Sequence, residues 1–214
     1  MRREKSAHLD LGLKSILSKP QYYNIFSGLI GKKSNNIRFV QQYIKPFPGC
    51  KILDIGCGTS NILSYLPDSI GEYNGFDMNQ SYIDYSMERW KEKNNCSFFC
   101  DRVSNASITK KGYYDIILAI GILHHLSDTE ARDLLSIAHQ ALNNNGSLIT
   151  YDNVYIDNQN RFAKWLISKD RGQAVRTVQG YKQLIGDQFS DIDEIILHDT
   201  LKVPYTIYLT RCSK

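Results

Sequence analysis

The sequence predicts an α/β fold with a doubly wound sheet of seven strands, an antiparallel terminal strand and a helical N-terminal cap. From about residue 50 onward, short apolar runs bounded by turn residues alternate with segments of helical period. This alternation is typical of a parallel sheet covered by helices on both faces. Near the end of the chain, the strand-like runs 192–197 and 205–210 are separated by a short turn. Two strands so close in sequence can pair only antiparallel.

The elements follow in a regular order. Strands are predicted at Lys51–Ile55, Glu72–Phe76, Ser97–Cys100, Tyr114–Ile120 and Ser147–Thr150. Helices are predicted near Asn61–Leu66, Gln80–Lys93 and Asp128–Leu142, and an Asn-Asn-Asn-Gly turn at 143–146 ends the last of them. The chain therefore divides into a helical cap (1–47), a core (48–150), an insert (151–190) and a terminal hairpin (191–214).

Composition limits the classes of function. A chain of 214 residues, 42% apolar and 22% charged, is expected to form a single soluble domain. No apolar run approaches the roughly 20 residues that cross a bilayer, and no apolar segment follows the basic start, so we expect a cytoplasmic protein without membrane contact. The net charge of +4 comes from scattered residues, which does not favour nucleic acid as a partner.

The five cysteines are odd in number, which favours reduced thiols over a disulfide framework. Cys96 and Cys100 lack a second Cys or His pair at a zinc-like spacing, so no metal site is predicted.

The run 52–60 is the most informative segment. An apolar strand carries an acid, Asp54, and ends on Gly56, Cys57 and Gly58 before an amphipathic stretch begins. Glycines at the end of a buried strand allow a tight turn and let a ligand approach the main chain. The run therefore predicts a site for a nucleoside-bearing cofactor, in a Rossmann-like arrangement.

Acids follow the next two strands. Asp77 comes about 20 residues after Gly56, where a carboxylate can accept both hydroxyls of a ribose. Asp101 closes the third strand and is suited to accept from an adenine amine. Each has a simpler interpretation: Asp77 as a cap of the next helix, and Asp101 as a turn residue.

In these features the chain resembles the class I S-adenosylmethionine-dependent methyltransferases of small-molecule type, most strongly over residues 48–150. The resemblance implies that Asp54, Gly56 and Gly58 shape the methionine pocket and that Asp77 holds the ribose. The remaining cofactor contacts that it implies are Cys57, Met78, Asp101, Arg102, Ala119 and Ile120. Ser60 stands where many members have a third glycine.

The nearest rival is a nicotinamide-dependent enzyme, which favours the fuller Gly-x-Gly-x-x-Gly turn because its pyrophosphate sits on a helix N-terminus. No glycine occurs between Gly58 and Gly71. S-adenosylmethionine carries no phosphate and does not need that turn.

Two histidines, His124 and His125, follow the fourth strand, near where the methyl group should project. Either is a candidate general base for an acceptor that must lose a proton. The alternative, favoured for His125, is a packed residue that hydrogen-bonds a loop.

Acceptor choice should depend on the cap and the insert. The candidate substrate-binding residues are Tyr22, Tyr23, Asp152, Arg171, Arg176 and Tyr181. The two arginines are suited to clamp a carboxylate or phosphate, or else pair with Asp170 and Asp187 on the surface. The two cap tyrosines form either a lid or part of the core.

The predicted function is methyl transfer from S-adenosylmethionine to an oxygen or nitrogen of a small, anionic metabolite, by a monomer or homodimer. Two alternatives stay open. One is a cofactor-binding regulatory protein without turnover, and the other is an enzyme that uses the same pocket for aminopropyl transfer or cofactor modification.

Overall fold

The computed structural model describes residues 33–168, 174–198 and 205–214. Its helices are α1 (Lys33–Phe39), α2 (Gln80–Arg89), α3 (Asp128–Ala141), α4 (Arg161–Ser168) and α5 (Val178–Gly186), with short 3₁₀ turns at Asn61–Ser64 and Leu123–His125. Its strands are β1 (Lys51–Ile55), β2 (Glu72–Asp77), β3 (Cys96–Cys100), β4 (Tyr114–Ile120), β5 (Leu142–Tyr155), β6 (Arg176–Thr177), β7 (Asp191–Leu197) and β8 (Ile207–Ser213).

The main sheet has the strand order β3-β2-β1-β4-β5-β8-β7, and the two-residue β6 pairs with β5 beside it. The first five strands in this order are parallel. β8 runs antiparallel to both β5 and β7. The predicted doubly wound sheet with an antiparallel terminal strand is confirmed.

Two apolar layers cover the sheet because side chains alternate across each strand. On one face, Leu53 and Ile117 lie in a cluster with Leu135 of α3 and Leu184 of α5. On the other face, the buried residues include Val40, Ile44, Ile52, Leu63, Ile83, Ile116 and Leu118. The central strands β1 and β4 are thus buried from both sides.

The described end of the N-terminal cap packs on this second face. α1 continues as a π-helical turn, Val40–Ile44, which ends at Lys45 with a left-handed φ of 52°. Arg211 donates to the carbonyl oxygens of Tyr43 and Ile44 at 2.7 and 3.1 Å, and the rings of Phe39 and Tyr151 lie 5.3 Å apart, edge to face. The rest of the predicted cap, including Tyr22 and Tyr23, lies outside the described residues.

Several element boundaries differ from the prediction. The predicted helix at 61–66 is only a 3₁₀ turn, Asn61–Ser64, and α2 ends at Arg89 rather than at residue 93. β5 begins at Leu142, directly after α3, and extends to Tyr155, so residues 143–146, which were predicted to form a turn, belong to this strand. This strand is longer than its apolar run because β4 pairs along one edge and β8 along the other.

Among the residues that the structure describes, no helix is both long and apolar enough to span a membrane.

Candidate active site

The carboxyl end of β1 turns sharply through a glycine loop, residues 56–60. Gly56, Gly58 and Ser60 all have left-handed φ values, 73°, 55° and 51°, a region that suits glycine far better than other residues. The backbone N–H groups of Gly56 and Cys57 both donate to the Phe76 carbonyl, at 2.8 and 2.9 Å. The loop therefore bends against the end of the neighbouring strand β2.

Asp77 joins this loop to the start of α2. Its Oδ2 accepts from the Gly58 N–H at 2.9 Å, and its Oδ1 accepts from the Asn79 N–H at 2.8 Å. The cap of α2 is Asn79 itself, whose side chain accepts from the Ser81 N–H. Each carboxylate oxygen can accept more than one hydrogen bond, so the half-buried Asp77 retains acceptor capacity for ribose hydroxyls.

The next strand end lies beside Asp77, because Cys100 is its partner in the register of β2 and β3. Met78 is 74% exposed there, although it is apolar. Asp101 is exposed, and one of its oxygens accepts from the Arg102 N–H at 2.7 Å. The Arg102 guanidinium pairs with Glu130 at 3.1 Å, which holds it toward the start of α3.

A second acid, Asp54, is buried beneath the loop. Its Oδ2 accepts from the Tyr73 hydroxyl at 2.6 Å. Burial raises the pKa of the Asp54 carboxyl to about 7, the Tyr73 hydrogen bond opposes that rise, and the nearby charge of Asp77 adds to it. Burial also raises the pKa of the Cys57 thiol, so this cysteine is held as a neutral thiol.

The chain leaving β4 packs against the glycine loop. Ala119 is fully buried in the core and Ile120 is half-buried at the strand end. A Cβ atom on Gly56 would lie 2.6 Å from Ile122 Cδ1, so only glycine fits there without displacing Ile122. The segment that carries the two histidines is therefore in direct contact with the loop after β1.

His124 is paired with Asp152 of β5, and both are buried. His124 Nδ1 lies 2.7 Å from Asp152 Oδ1, and the same oxygen accepts from the His124 backbone N–H at 3.1 Å. His125 is exposed, and its ring lies against that of His124 with the centroids 4.1 Å apart. Of the two histidines, His124 has the fixed, polar surroundings that a general base needs.

Arg176 holds the turn 123–125 in place. Its guanidinium makes five hydrogen bonds: to the carbonyl oxygens of Leu123, Leu126 and Ala174, and twice to Asp128. An arginine has five N–H donors, so these bonds account for its full donor capacity. This gives Arg176 a structural role in place of the predicted one as a substrate clamp.

Tyr181 also has a different role from the predicted one. It is 1% exposed, its hydroxyl donates to the Asn153 carbonyl at 3.0 Å, and its ring stacks on Tyr208. A side chain so enclosed packs the core behind β5 instead of facing a substrate. Tyr22, Tyr23 and Arg171 lie outside the described residues, so their predicted roles stay predictions.

Sequence reasoning named Asp152 and His124 separately and missed that they form a pair. The available signal was topological: Asp152 lies on β5, next to the β4 strand that delivers His124. The Asp54–Tyr73 hydrogen bond was missed for a similar reason, because it joins neighbouring parallel strands.

The arrangement suits S-adenosylmethionine. Two left-handed glycines leave main-chain surface uncovered, Asp77 offers acceptors for ribose hydroxyls, and the exposed Met78 offers an apolar surface for a base. These groups lie at the carboxyl ends of adjacent strands, where open α/β sheets bind ligands.

Comparisons with known proteins agree with this class. A family model described as "Methyltransferase domain" matches residues 52–146. The fumosorinone synthetase of Cordyceps fumosorosea (strain ARSEF 2679) is 32% identical over 91 residues, which are 38% of this chain but 2% of that protein. The chain thus spans only a small part of the curated relative that it matches.

Solved structures share the fold. Phosphoethanolamine N-methyltransferase 2 of Haemonchus contortus superposes with a TM-score of 0.68 at 15% identity, covering 86% of this chain and 53% of its own. Geranyl diphosphate C-methyltransferase of Streptomyces coelicolor A3(2) has a TM-score of 0.68 at 12% identity, with 85% and 79% covered.

The fold and the site define a nucleoside-cofactor-binding α/β domain. The model of a methyltransferase domain matches residues 52–146, slightly less than half of this chain, and the solved structures show that the chain has the fold of S-adenosylmethionine-dependent methyltransferases.

The buried Asp54 makes stability depend on pH. The folded chain keeps a proton on Asp54 up to about pH 7, whereas the unfolded chain releases it near the ordinary value of 3.8. The stability that protonated Asp54 allows is therefore fully present below pH 3.8. The free energy of unfolding then falls as the pH rises from 3.8 to about 7, because the unfolded chain releases this proton and the folded chain does not. We expect Asp54→Asn to remove this slope, which is at most about 1.4 kcal/mol per pH unit. Urea unfolding between these pH values measures it, with the exposed Asp157→Asn as control, and parallel curves for wild type and Asp54→Asn would contradict the assignment.

Loss of Arg176 should destabilise the turn 123–125. Arg176→Ala leaves three carbonyl groups without this donor, so we expect a loss of roughly 3 kcal/mol in the free energy of unfolding, with faster amide exchange at residues 121–127. The matched control is Arg132→Ala, because Arg132 forms an exposed pair with Asp187 in which both side chains are 49% exposed. That variant should lose less than about 0.5 kcal/mol. Equal losses in the two variants would show that Arg176 is an ordinary surface arginine.

Proposed function

We propose that this chain transfers the methyl group of S-adenosylmethionine to an oxygen or nitrogen atom of a small metabolite. The observation that carries the proposal is the contact between Ile122 and Gly56. It brings the turn that carries His124 against the loop assigned to the methionine end of the cofactor. A proton acceptor and the predicted methyl position thus share one edge of the sheet.

When bound, S-adenosylmethionine supplies an electrophilic methyl group on a sulfonium. The main chain at Gly56 and Gly58 would hold its methionine part, Asp77 its ribose, and Met78 with Asp101 its adenine. His124 would take a proton from an acceptor that has to lose one. Much of the rate enhancement in such a transfer comes from holding the nucleophile in line with the methyl group.

Two neighbours support a small acceptor. The Haemonchus contortus enzyme was solved with phosphomonomethylethanolamine and the Streptomyces coelicolor enzyme with geranyl diphosphate, each beside S-adenosylhomocysteine. Both molecules carry phosphate, which agrees with the anionic acceptor predicted here. Because Arg176 is occupied within the protein, the proposed anion contact rests on Arg171.

Loss of the Asp77 carboxylate should weaken cofactor binding. We expect wild type to bind S-adenosylmethionine and S-adenosylhomocysteine in calorimetric titration, and Asp77→Ala to bind each at least about tenfold more weakly, because two hydrogen bonds to ribose are lost. Asp84→Ala, which removes an exposed acid of α2, is the control and should bind as wild type does. Undiminished affinity in Asp77→Ala would contradict the ribose assignment, and a folded wild type that binds neither ligand would contradict the proposed function.

Turnover distinguishes this proposal from its alternatives. The purified chain is incubated with S-adenosylmethionine that carries a deuterated methyl group, together with a small-molecule extract of bacterial cells. We expect labelled products and release of S-adenosylhomocysteine. Binding without consumption of the cofactor would favour a regulatory protein, and a different nucleoside product would favour aminopropyl transfer or cofactor modification.

A further inference from the structure

The two carboxylate oxygens of Asp152, which pairs with His124, differ in their hydrogen bonding. Asp152 is 2% exposed and lies on β5, which is paired along both edges. Its Oδ1 accepts two hydrogen bonds from the same residue, one from the backbone N–H and one from the ring of His124. Its Oδ2 is buried and has no hydrogen-bond partner among the described residues. A carboxylate in such a place costs stability unless a nearby positive charge compensates for it.

The two hydrogen bonds to Asp152 Oδ1 determine the tautomer and the orientation of the His124 imidazole. An ionised carboxylate can only accept hydrogen bonds, so the contact of 2.7 Å requires that Nδ1 carry a proton. In the neutral ring the lone pair is then on Nε2. The hydrogen bond from the backbone of His124 to the same oxygen fixes the main chain as well as the ring.

Other contacts hold the same turn. The Ala174 N–H donates to the His124 carbonyl at 3.0 Å, and Arg176 binds the carbonyl groups of Leu123 and Leu126. The ring is therefore held by Asp152 while the backbone around it is held from the insert. This much support for one buried histidine is expected where its orientation matters for a reaction.

We propose that Asp152 is a positioning residue that holds His124 with its proton on Nδ1, so that Nε2 accepts a proton from a hydroxyl acceptor as that hydroxyl is methylated. This inference deepens the proposed function and rests on it. It narrows the acceptor atom from oxygen or nitrogen to the oxygen of a hydroxyl group.

The proposed methyl transfer conserves atoms, electrons and charge. The acceptor O–H bond breaks and its proton goes to Nε2, a new O–C bond forms to the methyl group, and the C–S electron pair stays on sulfur. The sulfonium becomes a neutral thioether, and the positive charge moves to the imidazolium, next to Asp152. A neutral amine attacks with its own lone pair, and an alkylammonium ion can lose its proton to water before the transfer, so of the two acceptor atoms only a hydroxyl oxygen needs a base during the transfer itself.

The first test needs no acceptor. In protein with ¹⁵N-labelled histidine, long-range proton–nitrogen correlation spectra report which ring nitrogen is protonated, and the signal absent from His124→Gln identifies His124. We expect the proton on Nδ1 in wild type and in Asp152→Asn, which keeps an acceptor oxygen, and loss of that preference in Asp152→Ala. A wild-type ring protonated on Nε2 and not on Nδ1 would overturn the proposal.

The second test separates charge from packing. Both Asp152 variants should bind S-adenosylmethionine within twofold of wild type yet methylate the acceptor found in the labelled screen roughly 100-fold more slowly. Asp152→Asn keeps shape and ring orientation but lacks the negative charge, so full activity in this variant would overturn the proposal. Thr150→Val is the control, because it removes a buried hydrogen bond on the same strand, to Thr210, and should leave turnover and the imidazole signal unchanged.

The position of the label gives the third result. Deuterated methyl groups on oxygen would support the proposal, and labels on nitrogen would overturn it. If the protein binds the cofactor but labels nothing, the imidazole spectra of the first test decide alone. Failure of wild type to bind S-adenosylmethionine would count against the proposed function. The imidazole spectra do not require the cofactor, so they test the role of Asp152 separately from the proposed function.

Discussion

The parallel pairing of β1 with β2 on one side and β4 on the other is the constraint on which the rest of this structure depends. Parallel pairing brings the carboxyl ends of the three strands to one edge of the sheet. The hydrogen bonds from Gly56 and Cys57 to Phe76 bind the loop after β1 to the end of β2. The chain must then turn at once, which is why left-handed backbone occurs at Gly56 and Gly58. Cofactor-side groups that are distant in sequence become neighbours through this geometry alone.

Two buried carboxylates lie near this edge, and each depends on a neighbour from another element. Asp54 accepts from Tyr73 of β2, and Asp152 accepts from His124 after β4. Burial of a carboxylate is unfavourable in a folded protein, and for Asp54 it raises the pKa to about 7. Neither acid contributes to the apolar core. Buried acids of this kind concentrate at functional sites.

The acceptor side is constructed differently from the cofactor side. The glycine loop and Asp77 belong to β1 and β2, whereas His124 is held by β5 and by the described end of the insert. Arg176 connects that insert to the turn 123–125 and to Asp128 at the start of α3. The segment that was expected to select the acceptor thus also supports the proposed general base. A change in the insert would therefore affect the position of His124 as well as any contact that the insert makes with an acceptor.

Much of the fold follows from local patterns. The apolar runs predicted the bounds of β1 and β4 to the residue, because both strands are buried on both faces. Asp77 and Asp101 were found because they follow the apolar runs of the next two strands, β2 and β3. The ends of the Asn61 turn and of β5 did not follow, because partner strands and packing fix them more than the local sequence does. Arg176 and Tyr181 lie in a polar stretch, so their sequence surroundings favoured a surface or substrate contact. Their packing against the turn 123–125 and β5 is visible only in the tertiary structure. Only a folded chain could pair Asp152 with His124, since their hydrogen bond joins β5 to the turn after β4.

The sequence by itself determined the doubly wound sheet, its antiparallel terminal strand and the class of cofactor. These depend on hydrophobic periodicity and on glycines at strand ends, which are properties of short segments. Only the tertiary structure decided which histidine is oriented, which arginine is engaged within the protein and which acids are buried. Those outcomes depend on contacts between segments far apart in the chain, and a hydrogen bond between two such segments leaves no periodic pattern in the sequence of either one.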